Sequence, residues 1–294
     1  MSARSTLTLF APAKVNLYLH VVGRRADGYH LLDSLAVFAG VGDSLDFAPS
    51  EGLSLSIIGP GADALLSQPD NIVIKAAHRL AEAAGVAPKA TITLTKRLPV
   101  ASGIGGGSAD GAAALRGLAA LWRVDIAEAE LSRIGLALGA DLPVCLRGEP
   151  TRMGGVGEIL DPAPPLPPAW LVLVNPGVAV ATPAVFKARD AGFREPDPLV
   201  EAPVDAAALA AALASRHNDL TAPAIRLAPV IGQVISAVGG QPDCLLARMS
   251  GSGATCFGLF GDETSANRAA AALTALQPGW WVEAAPILGK KNRH

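Results

Sequence analysis

The chain has 294 residues, half of them apolar, with a formal net charge of −2 at pH 7 and an isoelectric point near 6.2. This length and apolar content are enough to bury a large core in one large domain or two ordinary ones. The near-neutral charge provides no broad basic field, so we expect no nucleic-acid partner.

The cysteines and the hydropathy pattern predict a cytoplasmic protein. Cys145, Cys244 and Cys256 lie far apart, are flanked by apolar residues and lack the spacing of a metal site, which is typical of core thiols in a reducing compartment. Lys14 and Asn16 interrupt the N-terminal apolar run, and no stretch reaches membrane-spanning length.

The first half of the chain alternates predicted strands with predicted helices. Runs bounded by Gly, Pro and Asp predict strands at 5–10, 14–22, 43–48, 53–58 and 90–95. Apolar residues at helical spacing predict a helix that Asp70 caps and Gly85 ends. Further helices are predicted at 108–121 and 126–138, so the pattern indicates a mixed α and β protein.

The proline-rich stretch at 161–168 predicts a domain boundary, because it is stiff and lacks backbone donors. It divides the chain into domains 1–160 and 161–294. Beyond the boundary we predict a buried strand at 170–174, helices near 205–214 and 228–238, and a strand and helix pattern around 244–276.

A glycine-rich loop separates the strand at 90–95 from the helix at 108–121. Its glycines are Gly103, Gly105, Gly106 and Gly107. Glycine allows φ > 0 and close approach of the backbone to a ligand, and Ser108 is a good N-cap for the helix that follows. The N–H groups and dipole of that helix favour an anion, so the segment predicts a phosphate-binding loop.

Two familiar nucleotide loops do not match this segment. A Walker A loop needs lysine where Gly107 stands, and the dinucleotide fingerprint fits only loosely. For a glycine run alone, a surface loop without a ligand has a prior of roughly one half. The strand and helix at its flanks lower that prior.

Three other motifs accompany the loop in a fixed order. They are APAKVNLYLH at 11–20 with GRRADGYH at 23–30, GADLP at 139–143, and MSGSGATCF at 249–257. Together with the glycine loop, this set resembles the GHMP kinase superfamily. The resemblance implies an α+β, two-domain GHMP kinase fold with the active site in the inter-domain cleft. Its N-terminal domain would resemble a small ribosomal-protein fold and carry the phosphate loop, and its C-terminal domain would be ferredoxin-like.

The resemblance implies transfer of the γ-phosphoryl group of ATP to an alcohol. Asp141 matches the catalytic and substrate-binding aspartate, the general base, and Lys14 matches its partner lysine, which keeps the aspartate ionised. Asn16, a substrate-binding candidate, lies two residues beyond Lys14 and hence on the same face of a strand. From the sequence alone, Asp141 lies between a helix and an apolar strand, where a turn or capping role is favoured by roughly three to one.

The superfamily branch that the motifs resemble acts on a cytidine-diphosphate sugar alcohol. The resemblance implies that Tyr29 stacks on the cytosine, that His30 makes a polar contact with it, and that Phe186 covers its opposite face. Thr182, also a substrate-binding candidate, is the predicted N-cap of the short helix that carries Phe186, with Pro183 at the first helical position. Taken alone, Tyr29 and His30 fit a solvent-facing loop end, and Phe186 fits ordinary core packing.

Contacts with ATP are implied for Asn71, Lys96 and Pro99 and for the loop residues Gly103, Gly105, Gly106, Gly107 and Ser108. Asn71, Lys96 and Pro99 have plain alternatives as a cap, a solvated charge and a turn residue. The phosphate charge calls for Mg2+, for which the sequence assigns no acidic ligand. Ser108 is a candidate magnesium ligand through its hydroxyl or through water.

The predicted function is phosphorylation of the 2-hydroxyl of that sugar alcohol in non-mevalonate isoprenoid precursor synthesis, by a monomer or weak homodimer. Another GHMP kinase, for mevalonate or homoserine, remains an alternative, although it gives Tyr29, His30 and Phe186 no role. A catalytically silent nucleotide-binding or regulatory module is the second alternative. The presence of both Lys14 and Asp141 argues against it.

Overall fold

The computed structural model describes residues 6–66 and 70–289. These residues form two compact units, each assembled from separate stretches of the chain. Within the described ranges, the first unit contains 6–13, 42–66, 70–100 and 105–148. The second unit contains 14–41, 101–104 and 149–289. A domain boundary near residue 160 stays a prediction.

Two long strands, β1 (Leu7–Arg24) and β2 (His30–Ala48), contribute residues to both units. The strands predicted at 5–10 and 14–22 are one strand over their described part, and Ser5 lies outside the described residues. The predicted break at Pro12 is wrong, because the φ of proline fits extended backbone. The strand predicted at 43–48 is only the end of β2, whose earlier part lacks polar alternation.

The first unit packs part of a mixed sheet, in which β1 pairs with β2, against helices. Strand β4 (Ala90–Thr95) pairs in parallel with β3 (Leu53–Ile58) and antiparallel with the end of β2. Both β3 and β4 lie where the alternation predicts them. The helices of this unit are α1 (Asp63–Leu66), α2 (Ile72–Ala84), α3 (Gly106–Trp122), α4 (Glu128–Leu138) and α5 (Leu142–Arg147).

The start of α2 differs from the prediction by one residue. Asn71 is the N-cap, and its side-chain oxygen accepts the N–H of Val73 at 2.9 Å. Asp70 forms an ion pair with Lys75 at 3.0 Å instead. The predicted end at Gly85 is confirmed, because this glycine adopts φ +66° and its N–H returns to the last turn.

The second unit contains its own antiparallel sheet. Its strand order is β10 (Trp281–Pro286), β7 (Trp170–Asn175), β9 (Cys256–Phe260) and β8 (Leu246–Met249). The remaining elements are the hairpin strands β5 (Thr151–Gly154) and β6 (Ile159–Pro162) and the helices α6 (Thr182–Lys187), α7 (Ala206–Ala214), α8 (Thr221–Leu227), α9 (Val230–Gly239) and α10 (Glu263–Leu276). No helix in the described residues is long and apolar enough to cross a membrane.

Several predictions for this unit are confirmed. The buried strand predicted at 170–174 is β7, and Asp205 caps α7 by accepting the N–H of Ala208 at 2.7 Å. Helix α9 begins two residues later than predicted. The prediction lacks α8, which contains Pro223 in its first turn, where proline is tolerated.

Close packing in the first unit makes Gly117 sensitive to substitution. A Cβ atom at Gly117, in α3, would lie 2.3 Å from the ring of Phe47, which is fully buried. We expect Gly117→Ala to lower the free energy of unfolding by about 1–3 kcal/mol through overpacking, despite alanine's higher helix propensity. Denaturant unfolding measures this loss. Gly52→Ala, where no described atom lies within 4 Å of the new Cβ, should change stability by less than about 0.5 kcal/mol.

Candidate active site

The glycine-rich loop leads directly into α3. Gly103 and Gly105 adopt φ +76° and +64°, and Gly105 is the N-cap of the helix. Ser108 therefore lies in the first turn, and its predicted role as N-cap is wrong. The N–H groups of a first helical turn lack partners inside the helix, so the loop presents donors suited to an anion.

The loop between β8 and β9 holds the start of this glycine loop within the second unit. The N–H of Thr255 donates to the carbonyl of Ser102 at 3.1 Å, and the hydroxyl of Ser250 donates to that of Gly103 at 3.4 Å. A Cβ at Gly103 would lie 2.4 Å from the carbonyl oxygen of Gly253, so only glycine fits there.

Gly106 and Gly107 face different surroundings. A Cβ at Gly106 would point inward, 3.2 Å from the ammonium of Lys96 and 3.6 Å from Leu98. At Gly107, which is exposed, no described atom lies within 4 Å of such a Cβ. Of these two glycines, Gly107 has the open side on which a ligand fits.

Lys96, a predicted ATP contact, is buried in the first unit. Its ammonium donates to Asp110 at 2.9 Å and also to Asp43. The Lys96 ammonium is therefore occupied by two carboxylates in this structure, and its contact with ATP stays a prediction. Pro99 follows in the segment that enters the glycine loop.

Lys14 and Asn16 confirm the predicted strand alternation. Both side chains are buried, and the Lys14 ammonium donates to Oδ1 of Asn16 at 2.9 Å. The Asn16 amide donates to the hydroxyl of Ser34 at 2.8 Å, and the backbone N–H of Asn16 donates to the hydroxyl of Ser250 at 3.1 Å. These hydrogen bonds hold Asn16 in place, and Asn16 in turn orients the buried Lys14 ammonium within the second unit.

Asp141 occupies the N-cap position of α5 in the first unit. The apolar strand predicted after it is wrong, because the residues Leu142–Arg147 form this short helix, which ends at Gly148 with φ +63°. The Asp141 side chain does not cap the helix, and its backbone carbonyl accepts the N–H of Cys145 at 3.2 Å. The partly exposed carboxylate is thus not used for capping.

The predicted cytosine-binding residues lie in the second unit, and two of them touch. The rings of His30 and Phe186 are stacked, with centroids 4.9 Å apart and an interplanar angle of 20°. Tyr29, in the turn between β1 and β2, is 65% exposed. Burial, with the nearby charges of Arg24 and Arg189, lowers the pKa of His30, so its ring is neutral near pH 7.

Thr182 stands beside the second small-residue loop. Its hydroxyl shares a hydrogen bond of 2.7 Å with that of Ser252. The N-cap of α6 is Ala181, so the helix begins at Thr182, one residue earlier than predicted. Thr182 and Pro183 are therefore its first and second helical residues. This difference lies within the usual uncertainty of helix ends.

The candidate residues divide between the two units. The first contains Asn71, Lys96, Pro99, Gly105, Gly106, Gly107, Ser108 and Asp141, and the second contains Lys14, Asn16, Tyr29, His30, Gly103, Thr182 and Phe186. Sequence reasoning missed the polar residues that hold them, such as Asp43, Asp110 and Ser34. For Asp43 and Asp110, the available signal was an acidic residue next to apolar residues, because a buried carboxylate requires a partner.

Comparison with known proteins now identifies the family. Residues 71–149 match the GHMP kinases N terminal domain, and residues 203–278 match the GHMP kinases C terminal domain. The chain is 60% identical over 284 residues to 4-diphosphocytidyl-2-C-methyl-D-erythritol kinase of Paramagnetospirillum magneticum, covering 97% of this chain and 99% of the relative. It is 57% identical over 283 residues to the enzyme of the same name from Rhodospirillum rubrum, covering 96% and 93%.

Solved structures agree with these matches. A crystal structure of 4-(cytidine 5'-diphospho)-2C-methyl-D-erythritol kinase superimposes with a TM-score of 0.81 at 36% identity, covering 96% of this chain and all of the other. Homoserine kinase from Cytophaga hutchinsonii has a TM-score of 0.72 at 17% identity, covering 98% and 96%, which shows the shared fold alone. The protein is thus an α+β kinase with GHMP N- and C-terminal domains. It belongs to the family of 4-diphosphocytidyl-2-C-methyl-D-erythritol kinases, ATP-dependent enzymes of the isoprenoid pathway.

Proposed function

We propose that Asp141 and Lys14 carry out transfer of the γ-phosphoryl group of ATP to the 2-hydroxyl of 4-diphosphocytidyl-2-C-methyl-D-erythritol. The observation that carries this assignment is the buried Lys14 ammonium, held on Asn16 at 2.9 Å. A buried cation of fixed direction suits a reaction in which negative charge develops on phosphoryl oxygens.

Each residue has a distinct task in this proposal. Asp141 accepts the proton of the substrate hydroxyl, and Lys14 stabilises the negative charge that develops. The first-turn N–H groups of α3 bind the phosphates of ATP. Phosphoryl transfer depends mainly on positioning and electrostatic stabilisation, so these groups account for the chemistry required. The location of the active site between the domains stays a prediction.

Mg2+ is the metal we propose with ATP, because it neutralises phosphate charge. Ser108 would hold it, through its hydroxyl or through water. Mg2+ keeps several waters and is bound through few protein groups plus phosphates, so one hydroxyl in the first turn of α3 fits this mode. Activity measured against free Mg2+ after chelation tests the requirement.

A panel of alcohols tests the function directly. ADP release should be rapid with 4-diphosphocytidyl-2-C-methyl-D-erythritol and at background with mevalonate and homoserine. Turnover of mevalonate or homoserine instead would contradict the proposed substrate. Absence of ADP release with every alcohol would favour the silent nucleotide-binding alternative. A cytoplasmic monomer or weak homodimer without a nucleic-acid partner stays a prediction.

We further propose that the cytosine of the substrate stacks between Tyr29 and Phe186. The His30 ring already covers one face of the Phe186 ring, so in this proposal the base takes the place of His30 on that face and His30 meets the edge of the base. Neutral His30 retains both a donor and an acceptor on its ring for the edge of the base. The exposed ring of Tyr29 then covers the other face.

Phe186→Ala should weaken substrate binding about 5-fold to 150-fold, the equivalent of roughly 1–3 kcal/mol for one stacking contact. ATP affinity should change much less. Calorimetric titration with substrate and with a non-hydrolysable ATP analogue measures both. Phe193→Ala, which removes an exposed ring outside the candidate set, is the control. Equal substrate affinity in Phe186→Ala and wild type would remove Phe186 from the site.

His30→Ala should relax the choice of base, because a site that hydrogen-bonds cytosine rejects analogues by leaving polar groups unpaired. Competition by CMP and UMP against the substrate measures this choice. We expect wild type to prefer CMP and the variant to lose that preference. If wild type does not distinguish the two nucleotides, the cytosine assignment is wrong.

A further inference from the structure

A series of three buried hydrogen bonds leads to the Lys14 ammonium in the second unit. It begins at Ser34, a completely buried residue of β2. The Ser34 hydroxyl donates to the backbone carbonyl of Tyr18 at 2.5 Å and accepts the side-chain amide of Asn16 at 2.8 Å. Oδ1 of Asn16 in turn accepts the Lys14 ammonium at 2.9 Å. One side chain therefore connects the Ser34 hydroxyl with the cation proposed to act in catalysis.

The direction of these hydrogen bonds follows from the chemistry of the groups. A backbone carbonyl only accepts hydrogen bonds, so the single proton of the Ser34 hydroxyl points to Tyr18. The Ser34 oxygen then offers only lone pairs to Asn16, and the atom of Asn16 that faces it must be the amide nitrogen. The amide oxygen of Asn16 is consequently turned to the Lys14 ammonium, which donates to it.

The opposite orientation of the Asn16 amide would be unfavourable at both of its ends. With the amide rotated by half a turn, its nitrogen would face the Lys14 ammonium, and both groups are donors. Its oxygen would face the lone pairs of Ser34, and both groups are acceptors. The Ser34 hydroxyl and the ammonium thus select the same orientation of Asn16.

Ser34 is the stronger of the two acceptors that the Asn16 amide nitrogen has among the described residues. The other is Sδ of Met153 at 4.0 Å, and a thioether sulfur is a weak acceptor. Without the Ser34 hydroxyl, a buried amide N–H would lose its oxygen partner, which is unfavourable. The amide would turn toward other acceptors and move Oδ1 relative to the ammonium. A misplacement of about 1 Å can lower a reaction rate about 100-fold.

We propose that Ser34 is a positioning residue for phosphoryl transfer, which acts through Asn16 on the direction of the Lys14 ammonium. This proposal rests on the proposed role of Lys14 in stabilising the charge that develops on the phosphoryl oxygens. The proton of the Ser34 hydroxyl is used within the protein, on the Tyr18 carbonyl. A change at Ser34 should therefore alter the chemical step more than the binding of either substrate.

Ser34→Ala removes the hydroxyl and should lower kcat about 10-fold to 100-fold, while both KM values change less than about 3-fold. Ser34→Thr retains the hydroxyl and suits a strand, so its kcat should lie within about 3-fold of wild type. ADP release with ATP and 4-diphosphocytidyl-2-C-methyl-D-erythritol measures these constants. Ser265→Ala removes another hydrogen-bonded hydroxyl of the same unit and should retain wild-type kcat. Equal kcat in folded Ser34→Ala and Ser34→Thr would contradict the proposal.

A double variant tests whether Ser34 acts through Asn16. Asn16→Ala should lower kcat by itself, and adding Ser34→Ala to it should lower kcat by less than about 2-fold more. A general loss of folded protein would instead lower kcat in both backgrounds alike. If the losses of the two single variants multiply, Ser34 acts independently of Asn16 and the proposal is overturned.

Lys14→Met, measured in the same assay, separates this proposal from the proposed function. We expect it to lower kcat at least about 100-fold, because it removes the cation. Such a loss together with wild-type kcat in Ser34→Ala would overturn this proposal alone, whereas wild-type kcat in Lys14→Met would overturn both. If Ser34→Ala does not fold, Ser34→Cys replaces it, because a thiol is a weaker donor and acceptor than a hydroxyl. Wild-type kcat in Ser34→Cys would then overturn the proposal.

Discussion

Asp141→Asn should lower kcat by about 10²–10⁴ while the affinity for ATP stays nearly unchanged. Asparagine has the shape of aspartate but does not accept the proton of the substrate hydroxyl. Since the Asp141 side chain does not cap α5, the substitution should leave the helix intact. The loss should therefore appear in the chemical step.

Single-turnover kinetics and calorimetric titration with an ATP analogue separate these two quantities. Asp125→Asn, which changes an exposed aspartate of the same unit, should retain wild-type kcat. Near-normal turnover by Asp141→Asn would contradict the assignment of Asp141 as general base. A large loss of analogue binding would instead indicate a structural role for this residue.

Periodicity predicted the parts of the structure where one face is buried and the other is polar. Strands β3 and β4 alternate in this way, and their predicted bounds are confirmed. The same rule placed Lys14 and Asn16 on one face, where their side chains form a hydrogen bond. A period of two is a local property, so it is readable from the sequence.

Short apolar runs were harder to assign. The residues of α5 fit a buried strand as well as a helix, because six residues do not separate the two periods. Packing against α3 and α4 decides the outcome in favour of a helix. The long β2 was missed for a related reason, since its buried first part has no alternating polar face.

Ion-pair partners required the folded chain. Lys96 was predicted to contact ATP because it precedes the glycine loop. Its two carboxylate partners, Asp43 and Asp110, come from elements far apart in the sequence. The composition and spacing of charged residues do not indicate which of them become buried together, so this cluster emerged only from the structure.

The sequence also did not indicate what each glycine of the loop faces. Four glycines predicted a phosphate loop, yet the structure shows that they face different sides. Gly106 faces the buried Lys96, and Gly107 faces open space. A side chain at Gly106 would therefore disturb the cluster, so Gly107 is the better position for testing phosphate binding.

Gly107→Val should weaken ATP binding at least about 100-fold while the fold is retained. Its β-branched side chain would occupy the open side of the first helical turn, where phosphate must approach the N–H groups. Loss of one or two charge-assisted hydrogen bonds, about 1.5–3 kcal/mol each, accounts for that factor. Because no described atom lies within 4 Å of a Cβ at this position, the protein should accept the valine.

Calorimetric titration with an ATP analogue measures the affinity, and circular dichroism with denaturant unfolding checks the fold. Gly52→Val, also in open space, should bind ATP as wild type does. Gly106→Ala should instead lower the free energy of unfolding, because its methyl group meets the Lys96 ammonium at 3.2 Å. If Gly107→Val folds and binds ATP normally, the N-terminus of α3 does not bind the nucleotide phosphates, and the phosphate site must lie elsewhere.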